Sequence, residues 1–205
     1  MNTKKVRTFL QVINVSRNWL QSARPGSLSR CSAAAAEQLI IYDLSDNRIR
    51  TIASDDLKQL VAVRQLLIAN NQIENINRQA LSACALLQYL HLGNNSIEEI
   101  PALPETLISV NAATNRLSII PQAIANLPNL LSLNLSGNAI DANTPFPVIS
   151  PALQTADLSH NRLEFIPENL FSSSSQQLRH LLLSYNRITQ LEPAFFQNYS
   201  QLLTK

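Results

Sequence analysis

The chain has 205 residues, 45% of them hydrophobic and 15% charged, enough to bury one continuous core. Its formal net charge of +2 hides an uneven distribution: residues 1–36 hold six basic residues and no acid, while residues 37–205 hold ten basic and fourteen acidic residues, a net of −4. A mildly acidic main body lacks the clustered basic face that nucleic acid requires, and two cysteines, Cys31 and Cys84, are too few for a disulfide framework.

In chain order the basic leader comes first. Val6, Phe9, Leu10, Ile13 and Leu20 recur at roughly helical spacing beside Trp19, which predicts an amphipathic helix capping the next segment. A disordered tail and a mitochondrial-type presequence fit the same basic, acid-free composition. Gln11 and Asn14 interrupt the apolar run, so it makes a poor secretory signal and no transmembrane span. The stretch RPGSLSRCS (Arg24 to Ser32) reads as a flexible hinge, and the boundary falls near residue 36.

From residue 37 onward the chain repeats itself. Asn47, Asn71, Asn95, Asn115, Asn138, Asn161 and Asn186 follow one another at intervals of 24, 24, 20, 23, 23 and 25 residues. Each lies at position 9 of the pattern L-x-x-L-x-L-x-x-N-x-L, as in LQYLHLGNNSI (Leu87 to Ile97) and LRHLLLSYNRI (Leu178 to Ile188). Positions 4 and 6 point the same way from an extended segment, so pairs such as Leu90 and Leu92 face a shared core. At position 9 the chain turns inward, where backbone groups must find partners. An Asn amide, donor and acceptor at once, suits a stack of such turns. The rest of each unit crosses the other side, often through Ile-Pro (Ile100-Pro101, Ile120-Pro121, Ile166-Pro167).

A fixed period of this length with this internal pattern resembles the leucine-rich repeat superfamily, over about residues 37–203. The resemblance implies an α/β solenoid, a horseshoe with a concave parallel sheet and helical, 3-10 or extended convex segments. Two departures stand out. Ala112 and Ala156 occupy core positions where Leu is usual, and a vacancy of that size costs about 2–5 kcal/mol if unfilled. Bulky neighbours compensate, or this middle region is the soft part of the arc. DANTPFPVISP (Asp141 to Pro151) carries three prolines, so this crossing should be extended. At the carboxyl end, Leu203 falls where an eighth repeat would begin, so the array is expected to continue beyond Lys205.

No chemistry is apparent. With three scattered glycines there is no phosphate-cradling loop, and H-E-x-x-H, paired C-x-x-C and G-x-S-x-G are missing from the sequence. Asp43, His91 and Asp157 share position 5 but stand about 10 and 14 Å apart at 4.8 Å per strand, too far for a triad or a metal cage. His160 and His180 sit at positions 8 and 3, about 16 Å apart along the strand direction. Neither catalytic residues, metal nor cofactor are expected.

The concave surface remains. Its candidate partner-binding residues are Leu67, Tyr89, His91, Asn111, Asn134, Asp157, His180, Leu182 and Tyr185, with aromatic and amphipathic side chains as the natural anchors. Each of them also reads as an ordinary exposed strand or turn residue. The arginines after the Asn (Arg48, Arg116, Arg162, Arg187) read as a solvated rim. The leading reading is a non-enzymatic scaffold gripping a polypeptide partner through this face. The alternatives are a fragment of an extracellular receptor or adhesion ectodomain, and the regulatory arm of a larger enzyme. Missing paired cysteines and secretory signal lean towards the cytoplasm; the ectodomain reading places the chain outside the cell, and a cleaved leader would place it in mitochondria. Sequons at Asn14, Asn94, Asn134 and Asn198 carry no weight by number alone.

Overall fold

The computed structural model describes residues 10–25, 38–125, 127–141, 146–167, 170–174 and 176–190. Each coil contributes a strand of only three residues, centred on the apolar position 4. In chain order these are β1 (Val12–Asn14), β2 (Ile41–Asp43), β4 (Gln65–Leu67), β6 (Tyr89–His91), β7 (Ser109–Asn111), β8 (Ser132–Asn134), β9 (Thr155–Asp157) and β10 (His180–Leu182). They pair in parallel, in sequence order, as one eight-stranded sheet. Register is kept coil to coil, so Tyr89 lies beside Ser109 and His91 beside Asn111. A second sheet of two short strands, β3 (Thr51–Ile52) and β5 (Asn75–Ile76), links the crossings of the first two repeats. The other crossings are turns, extended chain and single 3-10 turns at Gln122–Ile124 and Ser172–Ser174. Among the described residues there is no α-helix, and so none long and apolar enough to cross a membrane.

Alternation decides what each strand buries. Position 4 is closed off throughout the inner coils: Leu66, Leu90, Val110, Leu133 and Ala156 are at most 2% exposed, with positions 3 and 5 half-buried or exposed on the other face. The two core alanines leave no open face, being 1% (Ala112) and 0% (Ala156) exposed. Bulky residues follow in the same coils and share the one core cluster: Ile120 and Ile124 after Ala112, and after Ala156 the fully buried Phe171, the largest such side chain. Residues 146–150 contain no helix, in line with the prolines, while residues 142–145 lie outside the described set.

The asparagines stitch the coils. Asn71 donates through Nδ2 to the carbonyls of Ile68 and Ala69 in its own coil and of Leu44 in the coil before, while its Oδ1 accepts the Ile49 amide at 3.0 Å. Asn47, Asn95, Asn115, Asn138 and Asn161 repeat the arrangement, and Asn186 keeps the bridge to Leu158 and Leu163. One residue earlier, position 8 is left-handed in every coil, with φ between 54° and 66° at Arg17, Asp46, Asn70, Asn94, Thr114, Gly137, His160 and Tyr185. Asn and Asp tolerate this conformation by bonding locally; a β-branched residue such as Thr114 does so under strain.

The leader departs from expectation. Over residues 10–25 the capping helix is replaced by a strand, β1, paired with β2 from Val12↔Ile41 to Asn14↔Asp43. Leu10, Ile13, Val15, Asn18 and Leu20 occupy positions 1, 4, 6, 9 and 11 of the repeat, and Val15 O and the Leu20 amide satisfy Asn47 as any preceding coil would. Among the described residues, Asn18 bonds to Val15 and Ser16 of its own coil. Buried Ala23 accepts from Tyr42 Oη at 3.3 Å, and Arg24 lies 3.5 Å from Asp56, fastening the segment to repeat one. Residues 1–9 and 26–37, Cys31 among them, are outside the described residues, as are Asn198 and Leu203. Cys84 is fully buried, and burial pushes its thiol up to about 12, the behaviour of an inert core cysteine.

Candidate concave interface

Every strand of the main sheet offers two side chains, positions 3 and 5, to the face away from the core. Parallel registry brings the candidates into two columns. Column three runs Gln65, Tyr89, Ser109, Ser132, Thr155, His180, and column five runs Leu67, His91, Asn111, Asn134, Asp157, Leu182. All the candidates of the sheet therefore share one continuous surface, and Tyr185 stands on its rim at position 8. The sheet also extends one strand further than the repeat count predicts, adding Val12 and Asn14 at its amino-terminal edge.

The column-five side chains are fastened in two ways. Asn111, Asn134 and Asp157 each accept, through Oδ1, the backbone amide two residues on, and Asp43 and Asn14 do the same. Ser136 and Ser159 add their hydroxyls to Asn134 and Asp157. These Asx turns close the strand end and hold the side chain in one orientation. Leu67, His91 and Leu182 cannot form them. Asp43 further accepts from Asn14 Nδ2 at 3.0 Å, which spends its second oxygen.

His91 lies over the strand end. A methyl placed on Gly93 would come within 3.1 Å of its Nε2, so the small residue there makes room for the ring. Burial holds the imidazole below its ordinary pKa, and the Asp43 carboxylate acts the other way. Tyr89 stands beside it, 41% exposed. At the far end Leu182 is 48% exposed and Tyr185 stacks on His160, ring centroids 4.2 Å apart and 13° from coplanar. His180 is exposed at position 3 of β10, so the two histidines of adjacent coils are separated, His160 being taken up by the tyrosine.

On the rim, Asn94 Nδ2 donates to Asn70 Oδ1 at 2.9 Å, and Asn70 Nδ2 to Asp46 Oδ1 at 3.0 Å, a hydrogen-bonded column running across three coils. At position 10, Trp19 is covered on one face by the Arg48 guanidinium, 5.5 Å from the ring centroid. Sequence reasoning missed both features, although the run Asp, Asn, Asn at position 8 was a legible signal for the first. Among the described residues no three His, Cys, Asp or Glu side chains are grouped to hold a metal ion.

The unbroken parallel sheet, inward-turned asparagines and common register agree with the family comparison: the leucine rich repeat family matches residues 37–97 and 151–204. The chain belongs to the leucine-rich repeat family. It is 30% identical to human Toll-like receptor 9 over 92% of its own length and 20% of the receptor's, and 32% identical to mimecan of Coturnix japonica over 63% of its length and 44% of mimecan's. Among solved structures, a leucine-rich repeat protein of Leptospira interrogans superposes with a TM-score of 0.80 at 25% identity, covering 94% of this chain and 47% of that one. The leucine-rich repeat ectodomain of an Arabidopsis thaliana membrane receptor kinase, solved in complex with Casparian strip integrity factor 2, gives 0.63 at 25% identity, over 82% of this chain and 21% of that one. The chain thus spans less than half the length of each of these relatives.

Proposed function

We propose that this leucine-rich repeat array is a ligand-binding segment of the receptor-ectodomain kind, which recognises a polypeptide on its concave sheet and does no chemistry itself. The observation that carries this reading is the continuous, in-register concave face with its exposed Tyr89, Leu182 and Tyr185, in a chain that aligns with a receptor over 92% of its length. A sheet face has its backbone groups already paired, so affinity must come from side chains summed over several coils. The likeness to a receptor and to a receptor ectodomain favours the outside of the cell over the cytoplasmic scaffold that cysteine usage suggested.

Peptide mapping of the protein from its native source tests the location. A glycan at the exposed Asn94 sequon supports the extracellular reading; four bare sequons overturn it in favour of the intracellular scaffold. For the face itself, Tyr89→Ala with Tyr185→Ala should leave the fold intact and weaken a cross-linked and purified partner by tenfold or more, since central aromatic anchors carry about 2 kcal/mol or more each. Unchanged affinity removes the concave assignment.

A further inference from the structure

The concave face is not uniform. Across β7, β8 and β9 its residues are short and polar: Ser109, Ser132 and Thr155 at position 3, with Asn111, Asn134 and Asp157 at position 5. On the rim, the small Thr114 and Gly137 stand beside β7 and β8, and His160 stands beside β9, turned into its stack with Tyr185. Larger side chains close both ends, Tyr89 and His91 on β6, and His180 and Leu182 on β10, the latter backed by the Tyr185–His160 stack. The result is a shallow trough bounded by β6 and β10, four strand spacings or about 19 Å across.

Its floor is preorganised. The Asx turns consume Oδ1 of Asn111 and Asn134, leaving their Nδ2 groups as donors with no protein partner among the described residues. In Asp157 they consume Oδ1 and leave Oδ2 as an acceptor. Of the two carboxylates at positions 3 and 5 of the sheet, Asp43 has both oxygens engaged, and there is no Lys or Arg in either column. Asp157 is therefore the available charge on the floor, and its complement is a cation.

Resting on the reading of this face as a polypeptide site, we propose that the trough over β7–β9 takes an extended polypeptide segment of about six residues crossing the strands, with a Lys or Arg side chain on Asp157 Oδ2. At 3.3–3.4 Å per residue an extended chain of that length spans about 19 Å. Its backbone carbonyls meet the Asn111 and Asn134 amides and the Ser132 hydroxyl. Apolar side chains at its two ends rest against Tyr89 and against Leu182 with Tyr185.

A random heptapeptide phage library panned on the intact chain supplies the probe. Enriched peptides should share a Lys or Arg flanked at a distance by apolar residues. Asp157→Asn, which keeps the Asx acceptor, should abolish the preference for the cation and weaken those peptides about tenfold or more, the scale of a charge-assisted hydrogen bond. Ser132→Trp, which fills the trough, should abolish binding while circular dichroism and melting stay unchanged; Ser132→Thr serves where the tryptophan variant fails to fold, and should retain binding. Failure to enrich any peptide, or enrichment without a cation, overturns the inference. Peptides lost on Tyr89→Ala but indifferent to Asp157→Asn place the ligand elsewhere on the face and overturn the trough alone; indifference to every concave substitution overturns the concave reading itself. A glycan on Asn134 in the native protein also overturns it, because the sugar would lie on the floor.

Discussion

Repeats one to three and repeats four to six solve one packing problem with different residues. The first three have full-sized residues at both core positions, Tyr42 with Leu44, Leu66 with Ile68, Leu90 with Leu92, and the crossings of the first two pair through β3 and β5. Their turns are joined by the Asp46–Asn70–Asn94 column. The next three put Ala112 and Ala156 in the core and lack the column, because Thr114, Gly137 and His160 stand at position 8. What they keep is the asparagine ladder and, on the concave side, an Asx turn in every coil. The comparison teaches that the ladder and the strand register are what the fold requires, while core volume and turn chemistry can be supplied from different places in each coil.

The largest test of that statement is the ladder itself. Asn115 is 9% exposed, donates to the carbonyls of Leu92, Ala112 and Ala113, and accepts the Ile97 amide. Asn115→Ala strands several buried backbone groups at once, and at 1–3 kcal/mol for each unsatisfied group the loss should reach about 4 kcal/mol in urea unfolding. Asn186→Ala, in a more exposed coil, should cost about half as much. Equal costs would mean that burial of the ladder does not set its strength.

Core volume comes next. If Phe171 fills the space that Ala156 leaves, Ala156→Leu should overpack and destabilise by about 1–3 kcal/mol. Phe171→Ala should cost about 3–5 kcal/mol, and the double variant should recover part of the sum through their coupling. Additive losses in a double-mutant cycle would show that the two residues occupy separate parts of the core.

Much of this arrangement was readable in the sequence. The period fixed the coil, and the apolar positions fixed which strand residues turn inward. The leader was harder. Asn18 precedes Asn47 by 29 residues, longer than any other interval, and Leu10, Ile13 and Leu20 also fit a helical spacing. Three-residue strands leave so little alternation that helix and strand are hard to separate until a neighbouring strand provides the pairing. For the concave face, sequence placed the columns but could not separate exposed binders from side chains spent on Asx turns. Asn111 and Asn134 look alike with or without the i+2 bond, and only their backbone places them.

A pH scan sharpens the comparison at the boundary of the two regions, where His91 on β6 faces Asn111 on β7. Its folded-state pKa lies below the ordinary value because burial penalises the charged ring. The neutral ring's contribution to stability is therefore fully present above about pH 6.5, the unfolded value, and is lost as pH falls through the lower folded value. His91→Gln should flatten the decline of stability below about pH 6.5 and leave neutral stability nearly unchanged. A decline of the same slope in the variant would assign the acid sensitivity to the carboxylates instead.

The smallest expected effect asks whether the second region can be given the turn chemistry of the first. Thr114 holds φ at 54°, a conformation a β-branched residue adopts under strain, directly after the Asn70–Asn94 bond in the position-8 column. Asn tolerates that conformation, and Asn94 Oδ1 accepts no hydrogen bond from the described residues, while its Nδ2 is already committed to Asn70. In Thr114→Asn the new Nδ2 can donate to Asn94 Oδ1 and extend the column by one coil, at the same time relieving the strain. The gain should be about 1 kcal/mol, the scale of one strained backbone residue, read as a higher urea midpoint with an unchanged slope. Neighbouring Gly137 supplies the control: its Cβ would stand 3.1 Å from Thr114 Oγ1 at a φ of 66°, so Gly137→Ala should destabilise. If Thr114→Asn destabilises as well, the coil of β7 is fitted to threonine by its packing, and the two halves of the array do not exchange turn residues.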